Sequence, residues 1–446
     1  MRKIALFLAL SLPFLALANL ARADTASDCH IGGYRLADGQ TLALGASDGD
    51  KLRWRRLDGE IGALHPQADG GWTNTAGWSD RPDGHKITLG PCGSGEMSFD
   101  GQPAKRLDFD ITNTSFAGKG VTLNGRLLLP KGTGPVPIVV LVHGSEHYSG
   151  VDIYPWQYLL PGEGIGVFVY DKRGTGRSTG SYTQDFPTLA DDAVAALNEA
   201  RRLAGARTGR IGFQGGSQGG WVAPLASLKT HTDFVVVSFG LAINPLEEDE
   251  QQVALEMTLK GHSPEEIKKA EEVVAAAHEI VTSKLTKGFE RFDALRAKYR
   301  DEPWYKDLHG NFTGDLLPLD KKGLLDHRAD LVMGTPWHYD SMAVLRKVTT
   351  PELWILGGND LAAPSAETSH RILSLTAQGK PFTLAVFPTA EHGIYEYEMD
   401  DKGERVDLRN SAGYFAMMRD FIRDGKITGP YGDATIVMKG EAGKIR

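Results

Sequence analysis

Cysteine is almost missing from this chain: of 446 residues only Cys29 and Cys92 carry a thiol. Two sulfurs cannot build a thiolate metal cluster, and no Cys/His group has ligand spacing, so no metal or other cofactor is expected. Long apolar runs are equally scarce. One spans Ile4 to Leu17, and none of that length follows, so no stable membrane span is expected in the mature chain. There is no block of Lys or Arg either. With 49 basic and 57 acidic residues the formal net charge is −8. Such a balance argues against nucleic acid as a partner. What remains is an ordinary composition, 41% hydrophobic and 24% charged, with length enough for two or three domains.

The one apolar run follows Arg2-Lys3 and precedes Ala21-Arg22-Ala23, a small-x-small cleavage pattern. Residues 1–23 therefore read as a secretory signal peptide, and the mature chain is expected in the periplasm or outside the cell. An uncleaved anchor is the alternative, disfavoured because the run is short for a span. Removing residues 1–23 takes away Arg2, Lys3 and Arg22 and no acid, so the charge becomes −11. In an oxidising compartment an even pair of cysteines predicts a disulfide between Cys29 and Cys92, against the alternative of two free thiols. Closing that loop would contribute roughly 4 kcal/mol in the chain-entropy account.

The most informative stretch is Arg210-Ile211-Gly212-Phe213-Gln214-Gly215-Gly216-Ser217-Gln218-Gly219-Gly220-Trp221. A serine is a poor nucleophile unless it is exposed beside a base. A sharp strand-to-helix turn exposes it, and the crowded flanking positions then require glycine. Gly215 and Gly219 satisfy that requirement around Ser217. A Gly-rich turn with a solvated serine is the bland alternative. Downstream, Pro351-Glu352-Leu353-Trp354-Ile355-Leu356-Gly357-Gly358-Asn359-Asp360 reads as a strand running into a Gly-rich loop that ends at Asp360, and the strand Phe382–Phe387 runs into Pro388-Thr389-Ala390-Glu391-His392-Gly393. Ser217, Asp360 and His392 thus each follow a predicted strand, where open α/β sheets build their sites. The chemistry assigns His392 the proton transfer and Asp360 the orientation of the imidazole. Asp171 and Asp340 are the competing acids. The strand 136–142 ends at His143-Gly144-Ser145-Glu146, which predicts an oxyanion hole from the N–H of Ser145 or Glu146 together with that of Gln218.

These residues resemble those of α/β-hydrolase superfamily serine hydrolases, in particular bacterial exported esterases and peptidase-like relatives with an extra N-terminal domain. The shared features are His143-Gly144-Ser145, Tyr170-Asp171-Lys172-Arg173-Gly174-Thr175-Gly176-Arg177-Ser178, the Ser217 turn, Asp360 and His392. Tyr339-Asp340 ahead of Leu345-Arg346-Lys347-Val348 and Pro351 resembles the lead-in to the acid-bearing strand. The resemblance spans roughly residues 105 to 430 and implies a doubly wound, mostly parallel sheet.

Alternating strands and a helix over Leu189–Leu203, with Asp191 and Asp192 in its first turn, support that sheet independently. The expected organisation is a small β-rich domain at 24–104, a hydrolase core at 105–244 and 336–430, a helical cap at 245–335 and a C-terminal tail at 431–446. The β domain is read from Asp-Gly turns at 38, 48, 58, 69, 83 and 100. Its Trp54, Trp72 and Trp78 are either core aromatics or a ligand platform. The cap is read from the capping box Ser263-Pro264-Glu265-Glu266 and from the stripe Ile267, Ala270, Val274 and Ala277. Trp304, Tyr305, Trp337 and Tyr339 either pack or line the acyl pocket. Arg173 and Arg177 either tie loops together or bind an anionic group. The function expected is hydrolysis of a small-molecule ester or related acyl bond. A peptidase or amidase acting on short peptides is the first alternative, and a non-catalytic binding protein on the same scaffold is the second.

Overall fold

The computed structural model describes residues 25–439; the expected signal peptide lies outside them. Two sheets dominate. The first is antiparallel, has eight strands, and runs from Gly32–Arg35 to Gln102–Arg106. Arg106 closes this sheet, and the larger sheet begins with Phe109–Gly118. Tyr34, Leu42, Leu44, Leu52, Trp54 and Leu64 fill the small core, so Trp54 is a packing residue, while Trp78 remains 40% exposed. Cys29 and Cys92 are joined. Substituting both by serine is expected to lower this domain's unfolding midpoint, read by thermal melting, with a cost up to roughly 4 kcal/mol.

The second sheet has nine strands, in the order Thr435–Val437, Phe382–Phe387, Glu352–Gly357, Phe234–Ser238, Thr208–Gly216, Val136–Val142, Gly166–Tyr170, Val121–Pro130, Phe109–Gly118. The six from Phe382–Phe387 to Gly166–Tyr170 are parallel, and the outer ones are antiparallel. Successive residues point to opposite faces, and both faces are covered. Val140, Phe168, Phe213, Val235 and Trp354 pack under the helices Phe186–Ala204, Gly219–Ser227 and Ser365–Ala377. Val139, Val167, Phe234, Val236 and Ile355 pack under Tyr414–Asp424. Burial on two faces is why these strands read as unbroken apolar runs rather than alternating ones.

Two sequence expectations change, and one open alternative is decided. The helix expected from Leu189 begins at Phe186, capped by the Asp185 side chain, so Asp191 and Asp192 fall beyond its first turn. The expected C-terminal tail contains Thr435–Val437, which pairs with Phe382–Phe387; its β-branched residues suit a sheet edge. Trp304, Tyr305, Trp337 and Tyr339 all pack: the first three belong to the cap's own core and Tyr339 to the main core. The cap is helical from Pro245–Leu259 through Pro264–Thr282 and Phe289–Tyr299 to Arg328–Leu331. Ser263 forms the capping box with Glu266.

Glu352 is fully buried at the start of its strand, where it accepts a hydrogen bond from Trp354 Nε1 at 2.8 Å. Burial pushes its carboxyl up to about 8 against an ordinary 4.5, although the Trp354 bond and Lys380 oppose the shift. Between those values the folded state holds a proton that the unfolded chain has released. Stability therefore falls as pH rises from about 4.5 to about 8. Glu352→Gln is expected to flatten that slope, measured as the urea midpoint on both sides of the window.

Candidate active site

Ser217 sits between the strand Thr208–Gly216 and the helix Gly219–Ser227 with φ 51°, a left-handed conformation that costs a serine strain. Its N–H donates to Ser238 O at 3.1 Å. The turn is too tight for side chains on its flanks: a Cβ on Gly215 would lie 2.3 Å from Gly219 O, and one on Gly219 would lie 2.8 Å from Val142 O.

Asp360 and His392 leave neighbouring strands, and the structure brings them together. His392 Nδ1 donates to the two Asp360 oxygens at 3.0 and 3.2 Å. Asp360 is 1% exposed and also accepts from Ala363 N at 2.7 Å. Burial acts to lower the His392 pKa. The charge of Asp360, its hydrogen bond, and the charges of Glu248 and Asp407 outweigh burial, so the net shift is upward. Neither competing acid reaches His392. Asp171 accepts from Ser149, Asn124 and the amides of Val151 and Arg177, and Asp340 caps the helix Ser341–Leu345. Phe239 links the two halves of the site. Its ring lies edge-on to His392 with centroids 4.9 Å apart, and it would stand 2.7 Å from a Cβ on Gly216. Among the described residues no hydrogen bond joins the Ser217 hydroxyl to His392.

The amides of Ser145 and Gln218 donate to no acceptor among the described residues, whereas the neighbouring carbonyls are occupied. Lys172 Nζ donates to Gly144 O at 2.6 Å and to Gln218 Oε1 at 3.4 Å, and Tyr182 OH donates to Ser145 O at 2.5 Å. In a trans peptide the C=O and the next N–H point in opposite directions. Holding Gly144 O therefore turns the Ser145 N–H away from Lys172. Burial pulls the Lys172 pKa down to about 8, with the Glu146 carboxylate opposing that shift.

Sequence reasoning missed Lys172, Glu391 and Glu248. Lys172 lay within a motif whose arginines drew attention instead. Those arginines tie loops: Arg173 grips Asp192 at 2.6 and 2.7 Å, and Arg177 meets Asp152 at 2.9 Å. Glu391 adjoins His392 in sequence, and its carboxylate accepts from His392 N at 3.0 Å and from Leu361 N at 2.7 Å, joining the acid and histidine loops. Glu248, from the first cap helix, is pushed up to about 8 by burial, and Asn311 donates to it at 3.2 Å. Asn311 also donates to Ala362 O, so the cap touches the acid loop. A cavity of about 580 Å³ lies beyond Tyr182, between residues 181–188 and 329–334, and none of Ser217, Asp360 and His392 lines it.

A family profile described as serine aminopeptidase, S33, matches residues 133–306, a span that holds the His143–Glu146 loop, the Ser217 turn and the first helices after residue 244. The fold is that of an α/β-hydrolase. Solved structures similar to this chain include the acylaminoacyl peptidase of Pyrococcus horikoshii, at 14% identity and TM-score 0.44, with 88% of this chain and 57% of that one covered. The chain thus spans little more than half that peptidase's length. Others are the ferulic acid-bound Est1E of Butyrivibrio proteoclasticus, at 18% identity and TM-score 0.38 with coverage of 63% and 90%, and the esterase EaEST of Exiguobacterium antarcticum, at 14% and 0.37 with 64% and 93%. No curated protein sequence matches the chain. The profile's description is of a serine hydrolase, the class of chemistry these residues offer.

Proposed function

We propose that this α/β-hydrolase is an exported serine hydrolase that cleaves a carboxylic ester or related acyl bond through an acyl-enzyme. The observation that carries the reading is the buried Asp360 holding His392 Nδ1, at the ends of strands in the same sheet that presents a strained, half-buried serine in its turn. In this reading Ser217 attacks the carbonyl carbon, and His392 Nε2 takes the hydroxyl proton and passes it to the leaving group. The Ser145 and Gln218 amides receive the oxyanion, and water then repeats the sequence to release the acid. Hydrogen bonds between nucleophile and base commonly tighten only once substrate is bound. Export is supported by Arg2-Lys3, the Ile4–Leu17 run and the Ala21-Arg22-Ala23 pattern, together with the joined cysteines.

A fluorophosphonate probe is expected to label the wild-type protein, with peptide mapping placing the adduct on Ser217. Labelling elsewhere, or none, would overturn the reading. Hydrolysis of short amides is the second reading, favoured by the profile's description. Turnover of p-nitrophenyl esters against blocked dipeptide amides separates the two.

Lys172→Met is expected to lower kcat about tenfold or more while changing KM little, because a disordered oxyanion hole weakens the transition state more than the ground state. Equal kcat in wild type and variant would remove Lys172 from this role.

A further inference from the structure

Beyond His392 the chain turns through Gly393 and Ile394, with φ 80° and 59°, into the hairpin Tyr395–Met399 and Arg405–Asn410. This hairpin is a two-stranded sheet of its own and joins neither large sheet. Such a ribbon is marginal in water without support. Part of the support comes from the core, where Arg405 pairs with Glu391 and donates to Asn359 O at 2.6 Å; the rest comes from the N-terminal sheet. Asn410 N donates to Gly59 O, Trp78 N to Asp407 O, and Arg409 Nη2 to Asp58 O, each at 2.9 Å. The Trp78 ring lies edge-on to Tyr395 with centroids 4.7 Å apart, and Arg81 pairs with Glu398 at 2.5 Å. The fit is close, since a Cβ on Gly59 would lie 2.2 Å from Asn410 O.

Arg55 stands at the centre of this contact. It is 8% exposed, and among the described residues no carboxylate lies within ion-pairing distance. Asp407 of the hairpin acts on its charge only from beyond that distance, and a buried guanidinium without a direct ion pair is costly. Here it donates to two neutral acceptors of the hairpin, Tyr395 OH and Asn410 Oδ1, both at 3.3 Å. The Trp78 ring, 5.1 Å from the guanidinium carbon, offsets part of the cost. Asn410 in turn donates from Nδ2 to Gly393 O at 2.9 Å. Two hydrogen bonds and one side chain therefore connect the N-terminal sheet to the residue after His392.

We propose that the N-terminal sheet helps to place His392, with Arg55 and Asn410 as positioning residues. The inference rests on the reading of His392 as general base. Small displacements of a catalytic group reduce turnover more than binding.

The test uses the full chain and a p-nitrophenyl ester. Arg55→Ala is expected to lower kcat about ten- to hundredfold with KM within about twofold. Arg55→Lys, which keeps the charge but not the fork, should recover part of the loss. Arg35→Ala is the control. It breaks another contact of the same sheet, to Gly162 O and Glu163, away from the histidine loop, and should leave kcat unchanged. If Arg55→Ala does not fold, Asn410→Ala tests the same chain of contacts from its other end. Wild-type kcat in either folded variant overturns the proposal, as does an equal loss in Arg35→Ala. A wild type that neither reacts with fluorophosphonate nor hydrolyses esters would instead overturn the general-base reading. A wild type that reacts, alongside an Arg55→Ala that reacts equally, overturns the positioning role alone.

Discussion

Ser217→Ala is expected to reduce kcat by on the order of 10⁵- to 10⁶-fold while leaving the protein folded. The hydroxyl is the only protein group in the proposed reaction that forms a covalent bond to the acyl carbon, so no other side chain can take its place. The turn itself does not need the oxygen, since it is held by the Ser217 N–H to Ser238 O and by the close approach of Gly215 to Gly219. Alanine at φ 51° carries the same strain as serine. Ser217→Gly should relieve it and be more stable than the alanine variant by about 1 kcal/mol, read by thermal melting. Both variants should fail to take up fluorophosphonate. Alanine at 217 with undiminished ester turnover would end the nucleophile assignment.

Asp360→Asn comes second, with an expected fall in kcat of about 10⁴-fold. The direction follows from the hydrogen bonds. Asp360 Oδ1 is held by Ala363 N at 2.7 Å, and Oδ2 faces His392 Nδ1 at 3.0 Å. In the asparagine variant the amide oxygen would stay on Ala363 N, and the NH₂ group would then face Nδ1. That arrangement forces the proton onto Nε2, where the ring can no longer accept one from Ser217. The pH profile adds an independent check. Asp360 heads the influences that raise the His392 pKa against burial. The wild type, whose base must be neutral, should therefore lose kcat/KM on the acid side at a pH above the ordinary histidine value of 6.5. In Asp360→Asn the residual acid limb should move to lower pH. A profile of kcat/KM between about pH 5 and pH 9 reads both. An unmoved limb would mean that Asp360 does not govern the histidine.

The parts of the site legible in the sequence are those whose signals are local. Ser217 announces itself because glycines must crowd a nucleophile turn, and Asp360 and His392 because each follows an apolar strand. The turn-rich first domain and the capped cap helix are legible for the same reason: turn and cap chemistry act over three or four residues. Other features depend on distant partners. Arg55 and Asn410 are 355 residues apart and belong to no motif. Lys172 is visible in its loop, but its burial against Gly144 and Gln218 appears only once three strands lie side by side. Glu391 sits beside His392, yet its second bond reaches back to Leu361. The strand Thr435–Val437 is too short to stand out, although its β-branched composition was visible.

That last strand shields the rim of the nine-stranded sheet. Without it Phe382–Phe387, which leads directly to the histidine loop, would present a row of bare amides and carbonyls along an apolar ribbon. Such a rim recruits further strands, including those of a second copy. A protein shortened to residue 430 should therefore keep every residue proposed to react and still clump, and light scattering would register its self-association before any assay registered lost turnover.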